Sequence, residues 1–195
     1  FQFANGKTGK CLSLVTRSTG FFGGLMGMPI AAGNLFIGSF DVGNAMSNPL
    51  KATKFGLPFR HIPTYLAGYY KYKAGDQFTE GGKPVGGKRD ICDIYAIMYE
   101  TSESVPTLDG TNAFTSPNLI SIARIDDAKE TDEWTYFKLP FNMLAGKYID
   151  KEKLTAGKYN VAIVFTSSLE GDHFNGAIGS TLLIDEVELI YRSEN

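Results

Sequence analysis

The sequence predicts an all-β protein, a β-sandwich of the jelly-roll type with little helix, and three observations carry that expectation. About eight short runs rich in β-branched and aromatic residues recur along the chain. Connections rich in Gly, Pro, Asn and Asp separate them, so each run ends where a turn can form. No strand-like run alternates with a long helical pattern, which sets aside a doubly wound parallel sheet.

The runs follow in order. Residues 10–16 alternate after the turn-like Asn5-Gly6 and Gly9. Residues 18–33 are crowded with glycine and carry Phe21, Phe22, Leu25 and Met26. A loop of that length is as a rule functional or mobile, and these apolar side chains are expected to cover one end of the core. Residues 34–40 form the next strand. A short helix over 41–50 follows, with Asp41 placed to cap it and Pro49 to help end it, and then an extended, proline-punctuated piece over 54–63. Residues 65–73 alternate strongly, with Leu66, Gly68, Tyr70 and Tyr72 on one face and Ala67, Tyr69, Lys71 and Lys73 on the other.

The glycine-rich connection 74–88 leads to a strand over 90–100, where Asp93 shares a face with Ile91, Tyr95 and Ile97. A polar loop over 101–117 precedes a strand over 118–125. Residues 126–133 read as a charged linker, and 134–141 as a strand that Pro140 places at an edge or an end. Residues 147–157 turn the chain into two closing strands, 159–166 and 180–191, joined by a long Gly/Ser/Asp loop.

With 195 residues the chain is the size of one domain, 1–195, able to bury a proper core. Apolar residues at 43% and charged residues at 21% are ordinary for a globular protein. A net charge of −2 gives no reason to expect nucleic acid or an anionic membrane as partner. No apolar run approaches the ~18 residues that span a bilayer. The first residues, Phe1 to Gly9, have neither the basic nor the apolar region of a signal peptide, so they assign no compartment. Cys11 and Cys92 lie far apart and form no CxxC motif; two buried small side chains are expected, with a disulfide as the alternative.

Chemistry-bearing patterns are sparse. Ser167, Ser168, Asp172 and His173 occur in one loop, but no G-x-S-x-G elbow supports a triad. Glu170, Asp172, Asp93 and Glu100 are the conceivable members of a glycosidase carboxylate pair, although with 21 acidic residues some pair is expected by chance. The glycines at 81–82 and 86–87 lack the ending of a phosphate loop, and scattered Cys and His disfavour zinc. Asp185 stands in an apolar run, where a burdened carboxylate calls for a partner: a Ca²⁺ ligand position, water at an edge strand, or a neighbouring backbone N–H. Fourteen Phe, ten Tyr and one Trp are the most suggestive class, since flat rings stack on sugar faces while polar neighbours fix the hydroxyls. Tyr70, Tyr72, Asp93, Tyr95, Arg124 and Trp134, with Tyr136 beside them, are the candidates for such a face.

Several blocks together resemble a known family, the putative carbohydrate metabolism domain found at the C-terminal end of secreted lipoproteins of gut-dwelling bacteria. They are Ala-Gly-Asn-Leu-Phe-Ile-Gly-Ser-Phe at 32–40, Leu-Ala-Gly-Tyr-Tyr-Lys-Tyr-Lys at 66–73, Asp-Ile-Tyr-Ala-Ile at 93–97, Trp-Thr-Tyr-Phe at 134–137, and the stretch 162–191. The resemblance implies a jelly roll similar to galactose-binding and carbohydrate-binding modules, exported to the periplasm or cell surface. It conveys no catalytic residues. The run at 183–189 is also similar to the last strand of carbohydrate-binding jelly rolls in which the matching aspartate helps to hold a structural calcium. That implies the same role for Asp185, but no counterparts of the other ligands are evident.

The resulting expectation is a non-catalytic domain that binds a polysaccharide or oligosaccharide on a concave aromatic and polar face, rather than an enzyme. A structural or protein-interaction domain packed on an upstream domain or surface protein is the first alternative, and a glycoside hydrolase the second.

Overall fold

The computed structural model describes residues 2–45 and 47–192. Two antiparallel sheets dominate it. One has five strands in the order Gln2–Asn5, Lys10–Val15, Thr181–Arg192, Ile62–Lys73 and Thr131–Pro140. The other runs Asn142–Met143, Leu119–Arg124, Asp93–Glu100, Tyr159–Thr166 and Asn34–Phe36, with Leu57–Pro58 also pairing to Tyr159–Thr166. Among the described residues every helix is six residues or shorter. The all-β sandwich expected from strand-like runs and turn signals is what the chain forms.

The sheets face each other across an apolar core. Leu14, Leu66, Tyr70, Tyr72, Leu182 and Ile184 come from the five-stranded sheet, and Ile94, Ala96, Ala123, Ile163 and Phe165 from the six-stranded one. Each wholly buried Leu or Ile contributes about 2 kcal/mol through the apolar surface it removes from water. Gly68 lies opposite Phe137, and a Cβ there would stand 2.8 Å from the ring, so the glycine makes room for the aromatic.

Several boundaries differ from expectation. The two closing strands do not pair; they lie in different sheets, and their connection crosses from one to the other. The stretch read as a charged linker already belongs to a strand from Thr131. In place of one helix over 41–50 there are two, Val42–Ala45 and Pro49–Ala52, with Met46 outside the described residues. Gln2–Asn5 pairs with Lys10–Val15 as a hairpin that the turn at Gly9 permits. Phe21, Phe22, Leu25 and Met26 cover nothing: they sit in or beside the helix Gly20–Leu25, which buries none of its residues, and the two phenylalanines are 77% and 81% exposed.

A buried polar network ties the crossing loop down. Asp90 is 4% exposed, and its Oδ2 accepts from Ser168 Oγ at 2.6 Å, Ser180 Oγ at 2.6 Å and Ala177 N at 2.8 Å. Thr16 Oγ1 meets Ser167 Oγ at 2.7 Å and Ser168 Oγ at 2.6 Å, while Ser167 Oγ also accepts from Gly33 N. Three donors on one carboxylate oxygen replace the water that burial removes. The composition of the Gly/Ser/Asp loop between the closing strands is thereby explained. Its serines are network members, and Gly176, at φ 153°, leaves no space for a Cβ beside Ser168 Oγ.

Candidate functional site

Alternation along Asp93–Glu100 sends Ile94 and Ala96 into the core and turns Asp93, Tyr95, Ile97 and Tyr99 to the outer face of the six-stranded sheet. Near Ile97 and Tyr99 that face is roofed by Phe55, Leu108 and Ala113 from the two long connections. Tyr99 OH donates to the Phe55 carbonyl and accepts from Asn160 Nδ2, which anchors the roof. The roof stops short of the other end of the sheet. There a cavity of about 600 Å³ opens, lined by Asp93, Tyr95, Arg124, Val164, Thr166, Asn34 and Phe36 from the strands. Phe40, Pro49, Leu50 and Phe114 from the roofing connections, and Glu170, Asp172, His173 and Phe174 from the crossing loop, also line it.

Arg124 and Asp93 form the polar centre. Arg124 Nη2 donates to Asp93 Oδ2 at 2.7 Å and Nε to Oδ1 at 3.1 Å, a bidentate pair. The Asp93 side chain is 5% exposed and that of Arg124 38%. The guanidinium lies 4.4 Å from the Phe114 ring centroid and 5.8 Å from that of Tyr95, and those two rings are 4.8 Å apart at 58°. Burial pushes the Asp93 carboxyl above the usual range, and the hydrogen bonds and charge of Arg124 work against that rise. Burial, then the neighbouring Asp93, pushes the Tyr95 phenol up as well. Such shifts mark a region poorly served by water, where a hydrogen bond to a ligand gains strength.

The rim is acidic. Glu170 is held below the usual carboxylate range by Lys88, whose Nζ lies 2.8 Å from Glu170 and 2.7 Å from Glu80. Asp172 Oδ1 stands 2.7 Å from His173 Nδ1. The loop reaches the rim through the turn Gly171–His173, closed by Phe174 in left-handed backbone at φ 58°. A phenylalanine there costs of order 1 kcal/mol, sustained by the anchored serines on either side.

The structure divides the predicted site residues among three places. Asp93, Tyr95 and Arg124 meet in the cavity. Tyr70 and Tyr72, at 3% and 2% exposure, are core residues between the sheets, because their face of the strand is the one that the second sheet covers. Trp134 lies on the opposite surface of the molecule, with Lys71 Nζ 5.3 Å from its ring, and Tyr136 stands against Tyr69 on the same surface. One continuous face holding all six is therefore corrected to a cavity with three of them. Of the four carboxylates weighed for hydrolysis, Asp93, Glu170 and Asp172 line the cavity, whereas Glu100 pairs with Lys153 at 2.7 Å elsewhere. Ser167 and Ser168 turn into the buried network and leave His173 without a nucleophile from this loop.

Asp185 finds its partners in backbone. Its Oδ2 accepts from Lys7 N at 2.8 Å and Thr8 N at 3.1 Å, and Oδ1 from Glu186 N at 2.9 Å. A hard cation asks for a shell of oxygens. Here N–H donors occupy the carboxylate, and among the described residues no group of three or more His, Cys, Asp or Glu gathers to hold a metal ion. Cys11 and Cys92 are both buried, free thiols.

Phe114 escaped sequence reasoning because it is a lone aromatic in a loop of Ser, Thr, Pro and Asn; that isolation was its only signal. Asp90 escaped because nothing local distinguishes it from a turn aspartate.

The β-sandwich thus carries an aromatic-walled cavity with an ion pair at its centre and carboxylates at its rim. The chain belongs to the family of the "putative carbohydrate metabolism domain", whose model matches residues 1–190. Two solved structures resemble it over nearly its whole length. One, described as a putative glycoside hydrolase from Bacteroides thetaiotaomicron VPI-5482, is 97% identical with a TM-score of 0.98, and the match covers 100% of this chain and 57% of that one. The other, described as a putative glycoside hydrolase from Bacteroides vulgatus ATCC 8482, is 52% identical with a TM-score of 0.93, over 98% of this chain and 77% of that one. This chain thus spans little more than half of the first relative. No curated protein sequence matches it. Among the described residues no helix is long and apolar enough to cross a membrane.

Proposed function

We propose that the domain binds an oligosaccharide or a polysaccharide end in the cavity on the outer face of the six-stranded sheet, without itself cleaving it. The observation that carries this reading is the Arg124 guanidinium held bidentately by Asp93 against the ring of Phe114, in a cavity of about 600 Å³. A sugar ring has an apolar C–H face and a rim of hydroxyls. Phe114, exposed and backed by the buried ring of Tyr95, suits the first, and the remaining Arg124 donors, Asn34, Thr166 and the rim carboxylates suit the second. The family gives the carbohydrate setting. An exported protein, periplasmic or on the cell surface and joined to further segments such as those the longer relative carries, is part of the same proposal.

Affinity electrophoresis against plant, host and bacterial polysaccharides tests it. Retardation by at least one glycan is expected, weakened about tenfold in Phe114→Ala, since a ring contact is worth roughly 1 kcal/mol or somewhat more. Absence of binding to all of them overturns the proposal.

Three carboxylates around one cavity favour a second reading, glycoside hydrolysis. The environments of Asp93 and Glu170 push their carboxyls in opposite directions, up by burial and down by Lys88, as an acid and base require. Reducing-sugar release lost in both Asp93→Asn and Glu170→Gln, with binding retained, would establish it.

A further inference from the structure

The outer face of the five-stranded sheet, remote from the cavity, carries an unusual ladder. Strand alternation turns Tyr65, Tyr69 and Lys71 outward from Ile62–Lys73, and Trp134, Tyr136 and Lys138 outward from its neighbour Thr131–Pro140. Lysines interleave with the rings: Lys138 Nζ lies 4.4 Å from the Tyr65 centroid, Lys7 Nζ 4.3 Å from Tyr69, and Lys71 Nζ 5.3 Å from Trp134. Tyr136 stands across from Tyr69, ring centroids 5.2 Å apart. From Tyr65 to Lys71 the row extends over seven residues of strand, roughly 20 Å.

None of these three lysines, among the described residues, has a carboxylate as ion-pair partner. Acids share the face. Asp185 is occupied by the N–H groups of Lys7, Thr8 and Glu186, and Glu188 is exposed, opposite Ala67. Lys71 and the exposed Lys73 also line a groove of about 650 Å³ with Thr131, Ile178 and Thr181, and the acids Asp76 and Asp132 line it too, which leaves the open row of Lys7, Lys71 and Lys138 as the part that carries the net positive charge. A cation over a ring gains only about 0.5–1 kcal/mol at an exposed site. An anion that takes the ammonium while its sugar ring settles on the aromatic face therefore competes readily.

We propose that this face is a second glycan-binding surface, for polysaccharides that bear carboxylate or sulfate groups. The lysines hold the anionic groups, and Trp134, Tyr136 and Tyr65 hold the sugar faces between them. It stands independently of the cavity, whose acidic rim suits neutral sugars.

Affinity electrophoresis of the full chain through gels containing polygalacturonate, dextran sulfate or neutral dextran tests it. Retardation in one or both anionic gels and none in dextran is expected, and the gel that retards identifies carboxylate or sulfate as the group recognised. Lys71→Gln with Lys138→Gln, and separately Trp134→Ala, should each weaken binding by about three- to tenfold, with melting temperatures confirming that the variants fold. Phe114→Ala in the cavity should leave it unchanged. The proposal is overturned by free migration in both anionic gels at low salt, or by retardation that Trp134→Ala with Tyr136→Ala leaves intact. Equally tight binding to single-stranded DNA or phosphatidylserine vesicles, which would mean bare charge attraction, overturns it too.

Discussion

Arg124 grips Asp93 through two parallel hydrogen bonds, 2.7 and 3.1 Å long, at the floor of the cavity on the outer face of the six-stranded sheet. The aspartate is nearly inaccessible while the arginine still reaches the cavity. The pair thus belongs both to the stability of the sheet and to the chemistry of the site.

Removing the arginine should expose that double role. Arg124→Ala leaves a buried carboxylate without its counter-charge and is expected to cost about 2 kcal/mol, below the 3–5 of a fully buried pair because Arg124 is partly screened by water. Because the folded-state carboxyl is already raised, the folded protein holds the Asp93 proton more tightly than the unfolded chain does. Its contribution is therefore full below the unfolded value of 3.8 and is lost as pH rises through the folded value. Urea unfolding should show the variant's deficit at neutral pH shrinking towards pH 4.

The acid limb has the opposite sign at Glu130. Arg89 Nη2 reaches both its oxygens, at 2.6 and 2.7 Å, and holds its carboxyl below the usual range. That stabilisation is present above the unfolded value of 4.5 and disappears as pH falls through the folded one. Glu130→Gln should be slightly less stable than the parent at pH 7 and equal to it in strong acid, read by thermal unfolding at both.

Asp90 should matter more than any residue on the surface. Asp90→Ala strands the hydroxyls of Ser168 and Ser180 and the N–H of Ala177, an expected loss of about 3 kcal/mol or more, against about 1 for Ser168→Ala. The same loop carries Glu170, Asp172 and His173 to the cavity rim. Glycan affinity should therefore fall in Asp90→Ala even under conditions where calorimetry shows the protein folded.

Cys92 offers a probe of the core. Burial, then the charge of Asp93, pushes its thiol up to about 12, so almost no thiolate exists at pH 8. Iodoacetamide should label it only as fast as the protein opens, and urea should restore ordinary reactivity.

Strand identity was legible because alternation and turn residues are local properties. The strong pattern of 65–73 and the apolar run of 159–166 both became strands for the reasons their residues state. Which side of a strand faces solvent is a different matter, since it depends on what the rest of the chain lays over it. Tyr70 and Tyr72 looked like a platform and became core because the second sheet covers them, while Asp93 and Tyr95, buried as well, lie at the wall of a cavity on the other face of the six-stranded sheet. Phe114 and Asp90 were invisible for the same reason: their partners lie 10 to 90 residues away in sequence. The exposed Phe21 and Phe22 show the converse, apolar residues in a sequence that the fold leaves uncovered.

The most direct measurement is a titration of the ¹⁵N-labelled protein with a neutral oligosaccharide that the electrophoretic screen identifies, following two side-chain signals. Arg124 Nε–H reports the cavity, and the indole N–H of Trp134, the single tryptophan, reports the opposite face. A saturable shift of the Arg124 signal with the indole unmoved is the predicted result. A shift of the indole with Arg124 unmoved would contradict binding in the cavity.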